Sequence, residues 1–221
     1  MNNLQIAMTI AGSDSIGGAG IQADLKTFAA LGVYGTSVLT AITAQNTETV
    51  SAIHEVPLHI ISKQIDAITS DVTVKAVKIG MLSSPEIIEM VALKMRESQL
   101  ENIVVDPVMI AKSGANLTKP EAIISLKTLL IPLAEIVTPN IPEAQILSGH
   151  KINSAKDIQR CAQEIKELGP KSVIIKGGHL SGPATDLFYE GNKFEEFTSP
   201  RISTKNTHGT GCTFSSAIAA Q

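Results

Sequence analysis

Leu4 to Leu31 reads LQIAMTIAGSDSIGGAGIQADLKTFAAL: an apolar run, a glycine-rich turn, then a segment of helical period. The run near Leu4 to Ala11 is expected to be a strand, and the segment from Ile21 to Leu31 a helix. The same order recurs along the chain. Further strands are expected near Thr36 to Ala44, Val74 to Ile79, Asn102 to Val105, Glu135 to Thr138 and Ser172 to Ile175. Helices are expected near Leu58 to Thr69, Pro85 to Gln99, Lys119 to Leu130 and Ala155 to Leu168, with a last one beginning about Gly211. This β-then-α rhythm belongs to a parallel sheet covered on both faces. Ser84-Pro85-Glu86 marks a helix start, because the serine can cap free N–H groups, the proline needs none, and the acid complements the helix dipole. Two β-prone segments around Glu190-Gly191-Asn192-Lys193, within Thr185 to Phe197, predict a hairpin on the sheet edge.

With 221 residues and 43% hydrophobic content, the chain can bury one substantial core, and one domain is expected. A net charge of -3 and few aromatic residues argue against a nucleic-acid surface. Cys161 and Cys212 are too far apart in sequence to suggest a zinc site or a disulfide framework, so a reducing, cytoplasmic setting is expected. Met1-Asn2-Asn3 lacks the basic start of an export signal, and no stretch approaches about 18 uninterrupted apolar residues. A soluble protein without a membrane span is expected.

Ligands of open parallel sheets sit outside the carboxyl ends of the strands, where loops and helix N-termini converge. The residues just past the expected strands are Gly12-Ser13-Asp14, Gln45-Asn46, Gly80-Met81, Asp106-Pro107-Val108-Met109, Pro139-Asn140 and Lys176-Gly177-Gly178. Turn chemistry explains the glycines, prolines and asparagine. It does not call for Gln45, Asp106 or Lys176. Gly18-Ala19-Gly20-Ile21-Gln22-Ala23 matches the G-x-G-x-x-A pattern of dinucleotide folds, but the next strand ends in Gln45 rather than in an acid that would hold a ribose. Near the end, Thr207-His208-Gly209-Thr210-Gly211-Cys212-Thr213 leads into a small, apolar helix, a candidate anion hole built from glycine-exposed N–H groups and a helix N-terminus. A plain glycine turn before a core helix accounts for the same residues, and the motif alone does not decide between the two.

Taken in order, the motifs are Ala11-Gly12-Ser13-Asp14-Ser15 with Gly17 to Asp24, Thr40 to Thr47, Lys78-Ile79-Gly80-Met81-Leu82, Asp106-Pro107-Val108-Met109, Thr138 to Ala144, Lys176-Gly177-Gly178-His179 and Thr207 to Thr213. Their order and spacing resemble the hydroxymethylpyrimidine phosphate kinases of the ribokinase-like superfamily, from the first strand to the last residue. The resemblance implies an α/β fold, a ribokinase-like three-layer α/β/α sandwich with a mostly parallel central sheet. It also implies ATP and Mg2+ as cofactors, a small pyrimidine as substrate, a homodimer, and no nucleic-acid or membrane partner.

The same resemblance assigns site residues. Gln45 would read the pyrimidine, since a primary amide presents a donor and an acceptor side by side. Gly12, Asp24, Met81 and Val108 would line the rest of that pocket; for Asp24 the alternative is a solvated place on the helix's polar face. Asn140 and Glu143 form the N-x-x-E pattern that positions Mg2+ through its waters, with Asp106 assisting. Lys176 would sit by the transferring phosphoryl group, with Asn140 and Thr207 also on the nucleotide. Gly209, Thr210 and Gly211 would form the anion hole. Cys212 stands where ribokinase-like sugar kinases carry a basic aspartate, and a thiol at a helix N-terminus can act as base through a depressed pKa; the alternative is a small buried hydrophobe. Ala111 to Ala115 is a candidate lid. The sequence given stops at Gln221 inside the last helix, so the family's C-terminal helices are expected to be missing from a single kinase domain spanning 1–221. Pyridoxal kinase and a non-catalytic pyrimidine-binding protein remain as alternatives.

Overall fold

The computed structural model describes residues 4–109, 118–178 and 183–221. Third from one edge of a nine-stranded sheet, β1 (Ile6–Asp14) runs parallel to β2 (Tyr34–Gln45) on one side and to β4 (Ala76–Ile79) on the other. Beyond β4 come β5 (Ile103–Val105), β6 (Ile136–Val137) and β7 (Ser172–Ile175), all parallel. One edge is closed by β3 (Val50–Glu55), antiparallel to β2. The other edge is an antiparallel ladder of β8 (Ala184–Glu190) and β9 (Lys193–Ser199), the hairpin expected from sequence.

The central strands send alternate residues into two different layers, as the period of two requires. Met8, Ile10, Val77, Ile79, Val105 and Val137 meet α2 (Leu58–Asp71), α3 (Pro85–Glu97), α4 (Ala122–Ser125), α5 (Ile141–Ser148) and α6 (Ala155–Glu167). Ala7, Val104, Ile136 and Ile174 face the other way, onto α1 (Gly20–Ala30) and α7 (Thr210–Ala219). Helices therefore cover both faces of a mostly parallel sheet, the α/β arrangement expected of the ribokinase-like class. Full burial of one such Ile, Val or Phe side chain stabilises by about 1.5–3 kcal/mol.

The start of α3 forms as its sequence dictates: Ser84 accepts a hydrogen bond from the Ile87 N–H, Pro85 opens the helix and Glu86 lies in its first turn. Three differences from the expected elements bear on the site. First, β1 does not stop at Ala11 but passes an irregularity at Gly12 and continues to Asp14, which carries the polar loop further out over the site. Second, β3 was not expected, because Val50-Ser51-Ala52-Ile53-His54-Glu55 is mostly exposed and lacks apolar alternation. Third, α5 fills the segment after Asn140, where Pro142 near the start hides a helical pattern only eight residues long. The helix expected over Lys119 to Leu130 is α-helical only at Ala122–Ser125; it widens to a π turn over Leu126–Leu130 and ends in a 3-10 turn holding Pro132.

Candidate active site

An apolar wall stands at the carboxyl ends of β1, β2 and β4. Ala41 and Met81 are buried together, with Val50 and Val108 packed against them. Gly12 completes it: a Cβ there would lie 3.4 Å from Met81 Cε, in contact but without overlap. At the rim, Gln45 ends β2, and its backbone is fastened by one hydroxyl. Ser15 Oγ donates to the Gln45 carbonyl at 2.7 Å and accepts from the Gln45 N–H at 2.9 Å. The Gln45 Oε1 lies 3.2 Å from Thr43 Oγ1, whose one proton is shared with the Ser13 carbonyl at 2.8 Å; among the described residues the Gln45 Nε2 has no partner. An amide held in this way presents its donor and one lone pair to whatever lies against the wall.

Across the loop from this wall stands the N-terminus of α7. Its N-cap, Gly209, has φ 78°, and no side chain caps the first turn. The Thr210 N–H reaches the Thr207 carbonyl at 3.3 Å, but those of Gly211 and Cys212 have no backbone partner among the described residues, and with the helix dipole they make this a place for an anion. The loop after β1 holds it in place. Asp14 Oδ2 accepts from the Gly18 and Ala19 N–H groups at 3.0 and 2.8 Å and lies 2.8 Å from His208 Nε2. Burial alone would push the Asp14 carboxyl up, but hydrogen bonds from His208, Ala19 and Ile16 outweigh it and hold the group below the usual carboxylate range. The packing is backbone to backbone: a Cβ on Gly209 would run into the Gly18 carbonyl oxygen, and one on Gly18 would come within 2.5 Å of His208 Cδ2.

Beside α7 lies a buried charge cluster. Lys176 Nζ is 2.8 Å from Asp106 Oδ1, and a Cβ on Gly211 would be only 3.4 Å from the same ammonium. Asp106 also accepts from Thr138 Oγ1 and Ser215 Oγ, each at 3.3 Å. Burial works against its ionised form, yet Lys176 and Lys78 hold the carboxyl below its usual range. Asn140 and Glu143 form a capping box at the start of α5: Asn140 Oδ1 accepts from the Glu143 N–H at 2.9 Å, and Glu143 Oε2 accepts from the Asn140 N–H at 2.8 Å. Burial first, and then the Asp106 charge, push the Glu143 carboxyl up to about 7. Two buried acids thus share the Lys176 ammonium, Lys78 being paired with Asp24, so a further cation beside them is electrostatically favoured. Among the described residues, no three His, Cys, Asp or Glu side chains are grouped to enclose a metal. The donors fit a cation held largely through its waters and a second ligand, not by an all-protein cage.

A sequence profile of the phosphomethylpyrimidine kinase family matches residues 14–221. The hydroxymethylpyrimidine/phosphomethylpyrimidine kinase of Bacillus subtilis is 50% identical over 217 residues, covering 97% of this chain and 80% of that protein. The chain belongs to the phosphomethylpyrimidine kinase family. A longer relative, the thiamine biosynthesis bifunctional protein ThiED of Geobacter sulfurreducens, is 54% identical over 96% of this chain, which spans only 44% of that protein. Among solved structures, the phosphomethylpyrimidine kinase of Clostridium difficile superposes with a TM-score of 0.87 at 52% identity, covering 98% of this chain and 89% of that one. The pyridoxal kinase of Staphylococcus aureus, solved with AMP-PCP and pyridoxal, gives a TM-score of 0.91 at 38% identity, covering 99% and 80%.

Two expectations need correction. Asp24 is neither a pocket wall nor a solvated helix residue. It is 0% exposed, and its carboxylate takes hydrogen bonds from Lys78 Nζ (2.9 and 3.0 Å), Thr9 Oγ1 (2.6 Å) and Ser216 Oγ (2.7 Å). No lone pair remains for a ligand. Nor is the Cys212 thiol depressed: burial pushes it up, and Asp106 and Asp24 add to this, against the opposing charge of Lys78. A helix N-terminus is not enough when burial and the charges of nearby acids both disfavour the thiolate.

The structure places Gly12, Met81, Val108 and Gln45 at the wall, and Gly209, Thr210, Gly211, Cys212, Lys176 and Asp106 around the α7 N-terminus. Thr207 is exposed just outside it, its carbonyl accepting from the Thr210 hydroxyl at 3.0 Å. The lid expected over Ala111 to Ala115 lies outside the described residues. Sequence reasoning gave no role to Asp14, His208 or Lys78. A lone lysine inside the apolar strand Ala-Val-Lys-Ile was the available signal, since a buried ammonium needs a partner.

The raised Glu143 carboxyl has a consequence for stability. Its folded value of about 7 exceeds the ordinary 4.5, so between these the folded state binds the extra proton. Stability contributed below pH ~4.5 is therefore lost as pH rises through about 7, at up to about 1.4 kcal/mol per pH unit. Glu143→Gln mimics the protonated acid and keeps an acceptor for Asn140. Urea unfolding of the variant is expected to show a flatter pH profile and greater stability than the parent above about pH 7. Parallel profiles would show that Glu143 titrates normally.

Proposed function

We propose that this kinase transfers the γ-phosphoryl group of ATP to the hydroxymethyl group of 4-amino-5-hydroxymethyl-2-methylpyrimidine, and then to the phosphate of that product, giving the pyrophosphate used in thiamine synthesis. One observation carries the reading: an apolar wall with an oriented amide, Gln45, is joined through the loop of residues 12–20 to an uncapped helix N-terminus flanked by Lys176. A flat aminopyrimidine fits the wall, and the anion hole fits a phosphoryl group in flight. The names of the relatives and the nucleotide analogue in the Staphylococcus aureus structure support ATP as donor.

In this mechanism the Gln45 amide pairs with the aminopyrimidine edge while Met81, Val108 and Gly12 bury its ring. The N–H groups of α7 around Gly209, Thr210 and Gly211, together with Lys176, stabilise charge on the transferring group, where most of the catalysis resides. Asn140 and Thr207 lie on the nucleotide side. Mg2+ would be held through water by Asp106, Asn140 and Glu143, and would neutralise phosphate charge. Cys212 receives the alcohol's proton. The acceptor is the thiolate, formed by loss of the S–H proton to solvent; because the thiol is raised, this form is a minor one near neutrality and turnover should rise with pH. We further propose that residues 1–221 are one kinase domain, that the protein works as a homodimer in the cytoplasm, and that no nucleic acid or membrane takes part. No helix among the described residues is long and apolar enough to cross a membrane.

The test is ADP release with MgATP and hydroxymethylpyrimidine, its phosphate, pyridoxal or no acceptor. Turnover with both pyrimidines is expected. Cys212→Ala should lower kcat about a hundredfold, the scale of a lost general base. Gln45→Ala should raise the pyrimidine KM about tenfold or more, the scale of one lost buried hydrogen bond. Turnover with pyridoxal alone would transfer the assignment to a pyridoxal kinase, and binding without turnover would make the protein a pyrimidine carrier.

A further inference from the structure

Four polar side chains meet inside the otherwise apolar layer beneath α1 and α7. Thr9 comes from β1, Lys78 from β4, Asp24 from α1 and Ser216 from α7, and each is 0% exposed. They form one closed set, since the Asp24 carboxylate takes hydrogen bonds from all three others. The set lies under the site: a Cβ on Gly80, the residue just after β4, would come within 2.8 Å of Lys78 Nζ. Above it, the Ser216 hydroxyl ties α7 to α1 through Asp24, and Cys212 lies one turn before Ser216 on the same face of α7.

We propose that Lys78 and Asp24 are positioning residues for Cys212, fixing α7 on α1 so that the sulfur keeps its place one turn above them and setting the charge it feels. The proposal rests on the reading of Cys212 as the group that takes the alcohol's proton. A buried ion pair is a poor fastener for its own sake, because a well-packed apolar pair of similar volume often stabilises a fold as well or better. Here the charges lie where they act on a reacting group. Four charged groups bear on the sulfur: Lys78 from β4 and Lys176 after β7 favour the thiolate, while Asp24 from α1 and Asp106 after β5 oppose it. Removing one member or the other should therefore move the thiol in opposite directions, whereas loss of a merely structural tie would move it the same way in both variants.

The experiment is the rate of alkylation of Cys212 by iodoacetamide, followed by mass spectrometry of its peptide between about pH 6 and pH 10, since only the thiolate reacts. The peptide bearing Cys161, which is buried, is followed separately. Lys78→Met is expected to shift the midpoint upward and slow alkylation near neutrality about tenfold, the equivalent of about one pKa unit. Asp24→Asn is expected to shift it downward and speed alkylation. Shifts in the same direction, or none, would overturn the proposal. Should either single variant fold poorly, Lys78→Met with Asp24→Leu replaces both ions by an apolar pair. Its midpoint is expected to rise, since Lys78 acts more strongly on the sulfur than Asp24 does; an unmoved midpoint would again overturn the proposal. Alkylation reads the thiol itself, so full turnover by Cys212→Ala would refute the base role separately and leave this result to stand or fall by its own measurement.

Discussion

Lys176→Met is expected to lower kcat about a thousandfold at saturating ATP and pyrimidine, the scale of removing a fixed charge from a transition state that spreads negative charge. The ammonium lies beside the first turn of α7, next to the place where a Cβ on Gly211 would sit, and is only 16% exposed. Its field is therefore little screened by water. The same change removes the cation nearest Asp106, which is 2% exposed. The carboxyl would keep Thr138 and Ser215 but lose the strongest charge holding it ionised. Breaking a buried pair by removing one partner is destabilising, here by about 2–4 kcal/mol. Lys176→Met with Asp106→Asn separates the two effects, because the amide carries no charge to strand. This double variant should recover most of the lost stability in urea unfolding and none of the lost kcat. Recovery of kcat along with stability would mean that Lys176 serves only to neutralise Asp106.

The fold was readable where burial imposes a period. The Ile- and Val-rich runs of β1, β4, β5 and β7 could only be buried parallel strands, and the caps of α3 marked its start. Reading failed where tertiary context overrode the local pattern. Nothing in Val50 to Glu55 announces a strand, because β3 exists by pairing with the projecting end of β2 and not by burial. In the site, residue types indicated chemistry but not geometry. Asn140 and Glu143 were read as metal-positioning groups, and their spacing is equally that of a capping box, which the structure forms. Asp24 was assigned to the pocket although Ile21, Asp24 and Phe28 share one helical stripe, and that stripe is the buried one. An acid on such a stripe requires a buried cation, and Lys78, alone in an apolar strand, was that cation. For Cys212, sequence showed the helix N-terminus but not the desolvation that outweighs it.

Gly209→Ala is expected to abolish most activity and to destabilise the protein, for two separable reasons. Its φ of 78° lies in the left-handed region, where a side chain costs about 1–2 kcal/mol. The new methyl would also overlap the Gly18 carbonyl oxygen, which cannot retreat, because the Gly18 and Ala19 N–H groups are held by Asp14 and the Gly18 Cα lies against His208. Relieving such overpacking costs about 1–3 kcal/mol more. The sum, about 2–5 kcal/mol, corresponds to a fall in Tm of roughly 10 °C for a chain of this size. The loop and α7 must part to make room, and a displacement of about 1 Å at the N–H groups that receive the phosphoryl group is enough to cost a hundredfold in rate. Gly32→Ala is the control: it has nearly the same φ, 76°, but nothing within 4 Å of the added Cβ. It should lose only the backbone contribution, about 1–2 kcal/mol, and retain full kcat and KM. Equal losses of stability in the two variants would show that the contact between Gly18 and Gly209 is loose, and that α7 does not depend on the β1 loop for its position.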